Sequence, residues 1–146
     1  MTPGRTTEPP VHATTVARRC GGTWRGVLLL GPSGAGKSDL ALRLLARGWR
    51  LVSDDYTRLW ASDGRLFAAA PERIAGRIEA RGVGVVSAAT RPLAHVALAV
   101  ACLPDAVERL PEPQSRAFAG VDIPLLALDP RPASAVEKVA AALEAL

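Results

Sequence analysis

Apolar residues along this chain come in short blocks set off by glycine, proline and charge, and the spacing within each block predicts its element. "VHATTVAR" (Val11 to Arg18) alternates loosely and is β-branched, which predicts a strand, and "CGGTW" then supplies a turn. "RGVLLLG" reads as a second strand, apolar on both faces as in the middle of a covered sheet. From Lys37 to Arg47 the period becomes helical: Leu40, Ala41, Leu44 and Leu45 share one face, while Asp39, Arg43 and Arg47 share the other. Gly48 is the natural stop. "WRLVSDD" predicts a third strand ending on Asp54 and Asp55, and Asp63-Gly64 a turn. Pro71 is expected to open a short helix with Ile74 and Ile78 inward. "VALAVACL" (Val96 to Leu103) and "IPLLAL" (Ile123 to Leu128) read as further strands. A last helix is expected to start at a Ser134/Glu137 capping box, with Val136, Val139, Ala140 and Leu143 buried. Strand, helix, strand and then more strands predict an α/β protein, a mixed sheet with flanking helices.

Length fits one domain: the chain has 146 residues, enough to bury roughly two-thirds of its unfolded surface without a disulfide staple. Residues 1–10, rich in Pro and Thr, read as a flexible N-terminal tail, and residues 11–146 as the working domain. Cys20 and Cys102 lie far apart and in no CxxC or His-containing cluster, as expected of plain thiols in a reducing cytoplasm. No run approaches the ~18 apolar residues of a membrane span, and no signal-peptide core is visible. The net charge of +4 comes from scattered arginines without interleaved aromatics. This pattern predicts neither a nucleic-acid nor a membrane partner.

The chemistry begins at Gly31-Pro32-Ser33-Gly34-Ala35-Gly36-Lys37-Ser38, which fits GxxxxGK[ST] and has a strand before it and a helix after it. Glycines let the backbone wrap with its N–H groups inward, and the helix N-terminus adds positive partial charge. Lys37 is expected to reach the β- and γ-phosphates, and Ser38 to hold Mg²⁺. Asp54 and Asp55, at the end of the next strand, are placed to bind metal or to accept a proton from an attacking hydroxyl; an Asp pair there also suits a turn.

These residues resemble the HPr kinase/phosphorylase family, in particular forms consisting only of the catalytic domain. The resemblance runs from Val11 onward and rests on "HATTVA", "GPSGAGKSDLAL", "RGWRLVSDD", "EARGVG" and "IPLLALDPRPASAVEKVAAAL" in that order. It implies a fold like the HPr kinase catalytic domain and an ATP- and Mg²⁺-dependent serine kinase acting on HPr, the small phosphocarrier of the bacterial phosphotransferase system. By the same resemblance Asp55 matches the proton acceptor toward the seryl hydroxyl, and the proton donor in a reverse, phosphate-consuming reaction. Lys37 and Ser38 match the catalytic lysine and a magnesium ligand, and Glu79 the second magnesium ligand. His12 resembles the family's histidine on a strand before the loop, and Arg109 in "ERL" a further catalytic arginine. A ring-like homo-hexamer is also implied. One segment departs from the pattern: where the family reads Val-Arg-Pro-Gly-Arg-Asn, this chain keeps Arg131-Pro132 and then has Ala133-Ser134. One cation for inorganic phosphate is thereby lost, which predicts a weak reverse reaction. The loop by itself also suits a small-metabolite kinase or a nucleotide-binding regulatory module.

Overall fold

The computed structural model describes residues 6–7, 9–105 and 112–146. Among the described residues eleven strands and two α-helices follow one another: β1 (Thr6–Thr7), β2 (Val11–Cys20), β3 (Thr23–Leu30), α1 (Lys37–Leu45), β4 (Arg50–Ser53), β5 (Tyr56–Ser62), β6 (Arg65–Ala69), β7 (Arg77–Ala80), β8 (Gly84–Ser87), β9 (Ala94–Cys102), β10 (Gln114–Phe118), β11 (Val121–Leu128) and α2 (Ala135–Glu144). The main sheet runs β1-β5-β2-β3-β9-β11-β10, with β4 paired to β2 and β6 bridging β5 and β9. The ladders β3 to β9 and β9 to β11 are parallel and the other pairings are antiparallel. This is the mixed sheet expected from the sequence.

Alternation along β3 divides the core in two. Val27 and Leu29 point to a cluster with Leu40 and Leu44 of α1 and Val136, Val139 and Leu143 of α2. Leu28 and Leu30 point to the opposite face, where Leu59, Leu66, Phe118 and Ile123 pack without a helix. Both helices therefore cover one face. The strand-loop-helix unit leaves the carboxyl end of β3 facing outward, where ligands gather in open α/β sheets.

Two local expectations change. Pro71 is followed by a single 3-10 turn, Glu72–Ile74, and Ile78 is buried on strand β7. Gly76, at φ 79, ends the helical path, and β7 folds back on β8 as a separate two-stranded sheet. Ser134 stands at the start of α2 in helical conformation and makes no side-chain cap bond. Glu137 pairs instead with Arg47, Oε1 to Nη1 at 3.1 Å, tying α2 to the end of α1. The expected helical face of Asp39 and Arg43 does form an i,i+4 pair, at 3.3 Å.

Candidate functional site

The loop from Gly31 to Ser38 joins β3 to α1 and closes a tight turn in which Ala35 N donates to Pro32 O at 3.0 Å. Two glycines are required here by geometry. Gly31 has φ 145, and a Cβ on it would stand 3.2 Å from the carbonyl oxygen of Cys102. Gly36, the residue before α1, has φ 98, and a Cβ there would press on Pro130 at 3.1 Å. An L side chain at either position meets both an unfavourable backbone region and a close neighbour. Cys102 is wholly buried behind Gly31, and its thiol is pushed up to about 11 by burial, against the opposing charges of Lys37 and Arg43.

Lys37 opens α1, yet its side chain is buried. Its ammonium donates to Gly31 O at 2.6 Å and Pro32 O at 3.0 Å, so it braces the two carbonyls that begin the loop. A third neighbour is His12 Nε2 at 3.4 Å. The same imidazole nitrogen lies 2.7 Å from Asp55 Oδ1. One nitrogen cannot donate to a carboxylate and accept from an ammonium at once. The shorter distance assigns the hydrogen on Nε2 to the bond with Asp55, while Lys37 directs its protons to the loop.

Asp54 and Asp55 follow β4 and face different partners. Asp54 is buried, and its Oδ1 accepts from Ser38 Oγ at 2.6 Å and Thr14 Oγ1 at 3.0 Å. Its Oδ2 accepts from the backbone N–H of Glu79 at 2.9 Å. Asp55 sits at the tip of the turn with φ 66, a left-handed conformation that Asp tolerates better than most residues. The turn is held by Tyr56 N donating to Asp54 O at 2.7 Å and by Asp55 N donating to Thr14 Oγ1 at 3.1 Å. The Asp55 side chain is half exposed. Beside it, Tyr56 stacks on His12 with ring centroids 5.2 Å apart.

A cleft of about 190 Å³ runs along the loop, lined by Ser33, Gly34, Lys37, Ser38, Asp55 and Glu79 among others. Strands β2 and β4, the loop and the β7–β8 hairpin thus bring together His12, Lys37, Ser38, Asp55 and Glu79. Arg109 lies outside the described residues. Arg131 is engaged elsewhere: its guanidinium bonds both carboxylate oxygens of Asp129, at 3.0 and 2.9 Å, and Asp105 Oδ1 at 2.7 Å. These bonds hold the Asp129 carboxyl well below the usual carboxylate range. Two contributors were invisible to motif reading, Thr14 and the hub role of Asp54. The available signal was Thr14 standing two residues after His12 on β2, hence on the same face.

A glycine-rich loop between a central strand and a helix, with a buried aspartate bonded to its terminal serine, defines a P-loop domain on a mixed sheet. Residues 22–91 match the family model described as "HPr Serine kinase C-terminal domain". The matched stretch takes in the loop, Asp54, Asp55 and Glu79, and the resemblance to the HPr kinase/phosphorylase family holds over it. Among similar curated proteins, the HPr kinase/phosphorylase of Clostridium botulinum (strain Eklund 17B / Type B) is 44% identical over 61 residues, covering 42% of this chain and 20% of its own length. That of Brevibacillus brevis is 47% identical over 66 residues, 44% of this chain and 21% of its own. The aligned stretch thus spans about a fifth of these relatives. In three dimensions the chain resembles the HPr(Ser) kinase/phosphatase from Coxiella burnetii, with a TM-score of 0.76, 21% identity and 94% of both chains covered. The fold is that of the HPr kinase catalytic domain. Among the described residues no helix is long and apolar enough to cross a membrane.

Proposed function

We propose that this chain is a protein-serine kinase that transfers the γ-phosphoryl group of ATP to a serine of HPr. The observation that carries this reading is Asp55: an exposed carboxylate lining the loop cleft, held at 2.7 Å by His12, which itself neighbours Lys37. A binding module has no use for a carboxylate presented there, whereas phosphoryl transfer to a hydroxyl needs a group that orients the oxygen and takes its proton. The names of the similar proteins supply the acceptor, and the loop is suited to hold a polyphosphate.

Each residue then has a task. The N–H groups of Gly34 to Ser38 and the start of α1 hold the phosphates. Lys37 sits at the root of the loop, where its charge would attract the β- and γ-phosphates. Asp55 receives the seryl proton, and His12 fixes its carboxylate. The donors around the cleft, Ser38 hydroxyl and the Asp54 and Glu79 carboxylates, are all oxygen, which suits Mg²⁺. Among the described residues no group of three His, Cys, Asp or Glu side chains forms a protein-only metal cage. Mg²⁺ usually relies on one or two carboxylates, water and substrate phosphates. When bound, the ion neutralises charge on the phosphates. The reading extends to a cytoplasmic protein, assembled as a hexamer, with Arg109 as an additional cation.

The test is transfer of label from γ-labelled ATP to HPr in the presence of Mg²⁺, with phosphoserine identified on HPr. Asp55→Asn should lower transfer roughly 10²–10⁴-fold while nucleotide binding survives. Absence of label on HPr with the unaltered chain overturns the reading.

A further inference from the structure

A second groove, of about 360 Å³, opens beside the loop cleft. Its walls include Val11 at the start of β2, Leu30 at the end of β3 and Phe118 at the end of β10, and His12, Gly31 and Arg116 also line it. Leu30 and Phe118 belong to the core cluster on the helix-free face of the sheet. The loop cleft belongs to the other side, where α1 begins. His12 and Gly31 stand on the boundary: His12 lines this groove and bonds Asp55, while Gly31 lines it and bonds Lys37, and both partners line the cleft. The two depressions meet at His12, Asp55 and Lys37.

Arg116 and Phe118 share one side of β10, two residues apart, and the guanidinium carbon lies 5.2 Å from the Phe118 ring centroid. The aromatic ring holds the cation over the groove. Arg116 is exposed and, among the described residues, makes no ion pair. A groove that sets Val11, Leu30 and Phe118 beside polar backbone, His12 and one uncompensated cation complements a segment carrying both an apolar side chain and a carboxylate.

We infer that this groove receives the acceptor protein next to its reacting serine, and that Arg116 selects the acceptor by pairing with an aspartate or glutamate of that segment. The inference rests on the reading of the chain as a protein-serine kinase. The placement suits the reaction. In-line transfer requires the attacking hydroxyl to arrive opposite the leaving nucleotide, and the groove ends at His12, whose Nε2 lies 2.7 Å from Asp55 Oδ1 in the adjoining cleft. Binding energy gathered in the groove holds the acceptor in place without touching the nucleotide.

The experiment compares the full chain with Arg116→Glu and Arg116→Lys, measuring label transfer from γ-labelled ATP and Mg²⁺ to HPr as a function of each substrate. Circular dichroism confirms folding, which an exposed edge-strand position should not disturb. Arg116→Glu is expected to raise KM for HPr roughly tenfold or more, with KM for ATP and kcat near those of the unaltered chain. Arg116→Lys should stay within about threefold, because it keeps the charge. An unmoved KM for HPr in Arg116→Glu overturns the groove assignment alone, as does an equal rise in both KM values. No transfer to HPr by the unaltered chain overturns the kinase reading and the groove with it.

Discussion

Ser38 Oγ donates to Asp54 Oδ1 at 2.6 Å, so the last residue of the phosphate loop is fastened to the turn that presents Asp55. Asp54 also accepts from fully buried Thr14 and from the Glu79 amide. Asp54→Ala leaves these donors without their acceptor, which costs about 1–3 kcal/mol. At this chain length the melting temperature should fall by roughly 3–10 °C. A thermal melt of Asp54→Ala checks this; an unchanged transition would remove Asp54 from its place at the centre of the site.

Lys37 is expected to matter twice. Lys37→Met keeps the aliphatic stem that is buried at the start of α1 but abandons the carbonyls of Gly31 and Pro32. Transfer should fall at least about 10²-fold through loss of charge beside the phosphates. Amide hydrogen exchange at residues 31–36 should also accelerate, because the brace inside the loop is gone. Unaltered exchange in a folded Lys37→Met protein would show that the lysine does not hold the loop.

The reverse reaction should be slow. Arg131 already serves Asp129 and Asp105, and Ala133-Ser134 brings no second cation to the same segment. Phosphate-driven loss of phosphate from seryl-phosphorylated HPr should therefore trail forward transfer on the same preparation by tenfold or more, roughly the weight of one missing charged donor. Equal rates in the two directions would mean that another cation holds inorganic phosphate.

His95 supplies a pH dependence away from the site. Burial, with Arg65 and Arg25 nearby, lowers its pKa below the ordinary 6.5. The folded state then binds this proton less readily than the unfolded chain, so stability is complete above about 6.5 and declines as pH falls toward the depressed folded value. Urea midpoints at pH 7.5 and 5.5 should differ more for the unaltered chain than for His95→Gln. An equal difference in both would assign the dependence to other groups.

Long periodic segments were legible in the sequence because burial on one face is written directly into spacing. Helix α1 and strands β2, β3, β9 and β11 appear within a few residues of expectation. The β5–β6 hairpin was read only as its turn at Asp63-Gly64, although Thr57, Leu59 and Ala61 alternate inward as a strand requires. Ile74 and Ile78 misled by their helical spacing of four, since Gly76 between them takes a conformation no helix contains. In the site, the loop and Asp55 stand out because each belongs to a contiguous motif. The Asp54 network does not, because its partners Thr14, Ser38 and Glu79 come from distant segments that only the folded sheet brings into register.

The two oxygens of Asp54 look in different directions: one holds the loop serine, the other the first strand of the β7–β8 hairpin. A single carboxylate therefore adds a polar tie between the loop and a hairpin that forms its own small sheet and otherwise meets α1 through the apolar packing of Ile78. Any ligand that draws Ser38 away from Asp54 changes the charge seen by the Glu79 amide, and any displacement of the hairpin is returned to Ser38. By thermodynamic reciprocity, a ligand that favours one hairpin position is bound more tightly when the hairpin holds that position. Glu79 and Arg81, carried on that hairpin, thus report on the loop at the same time as they line its cleft.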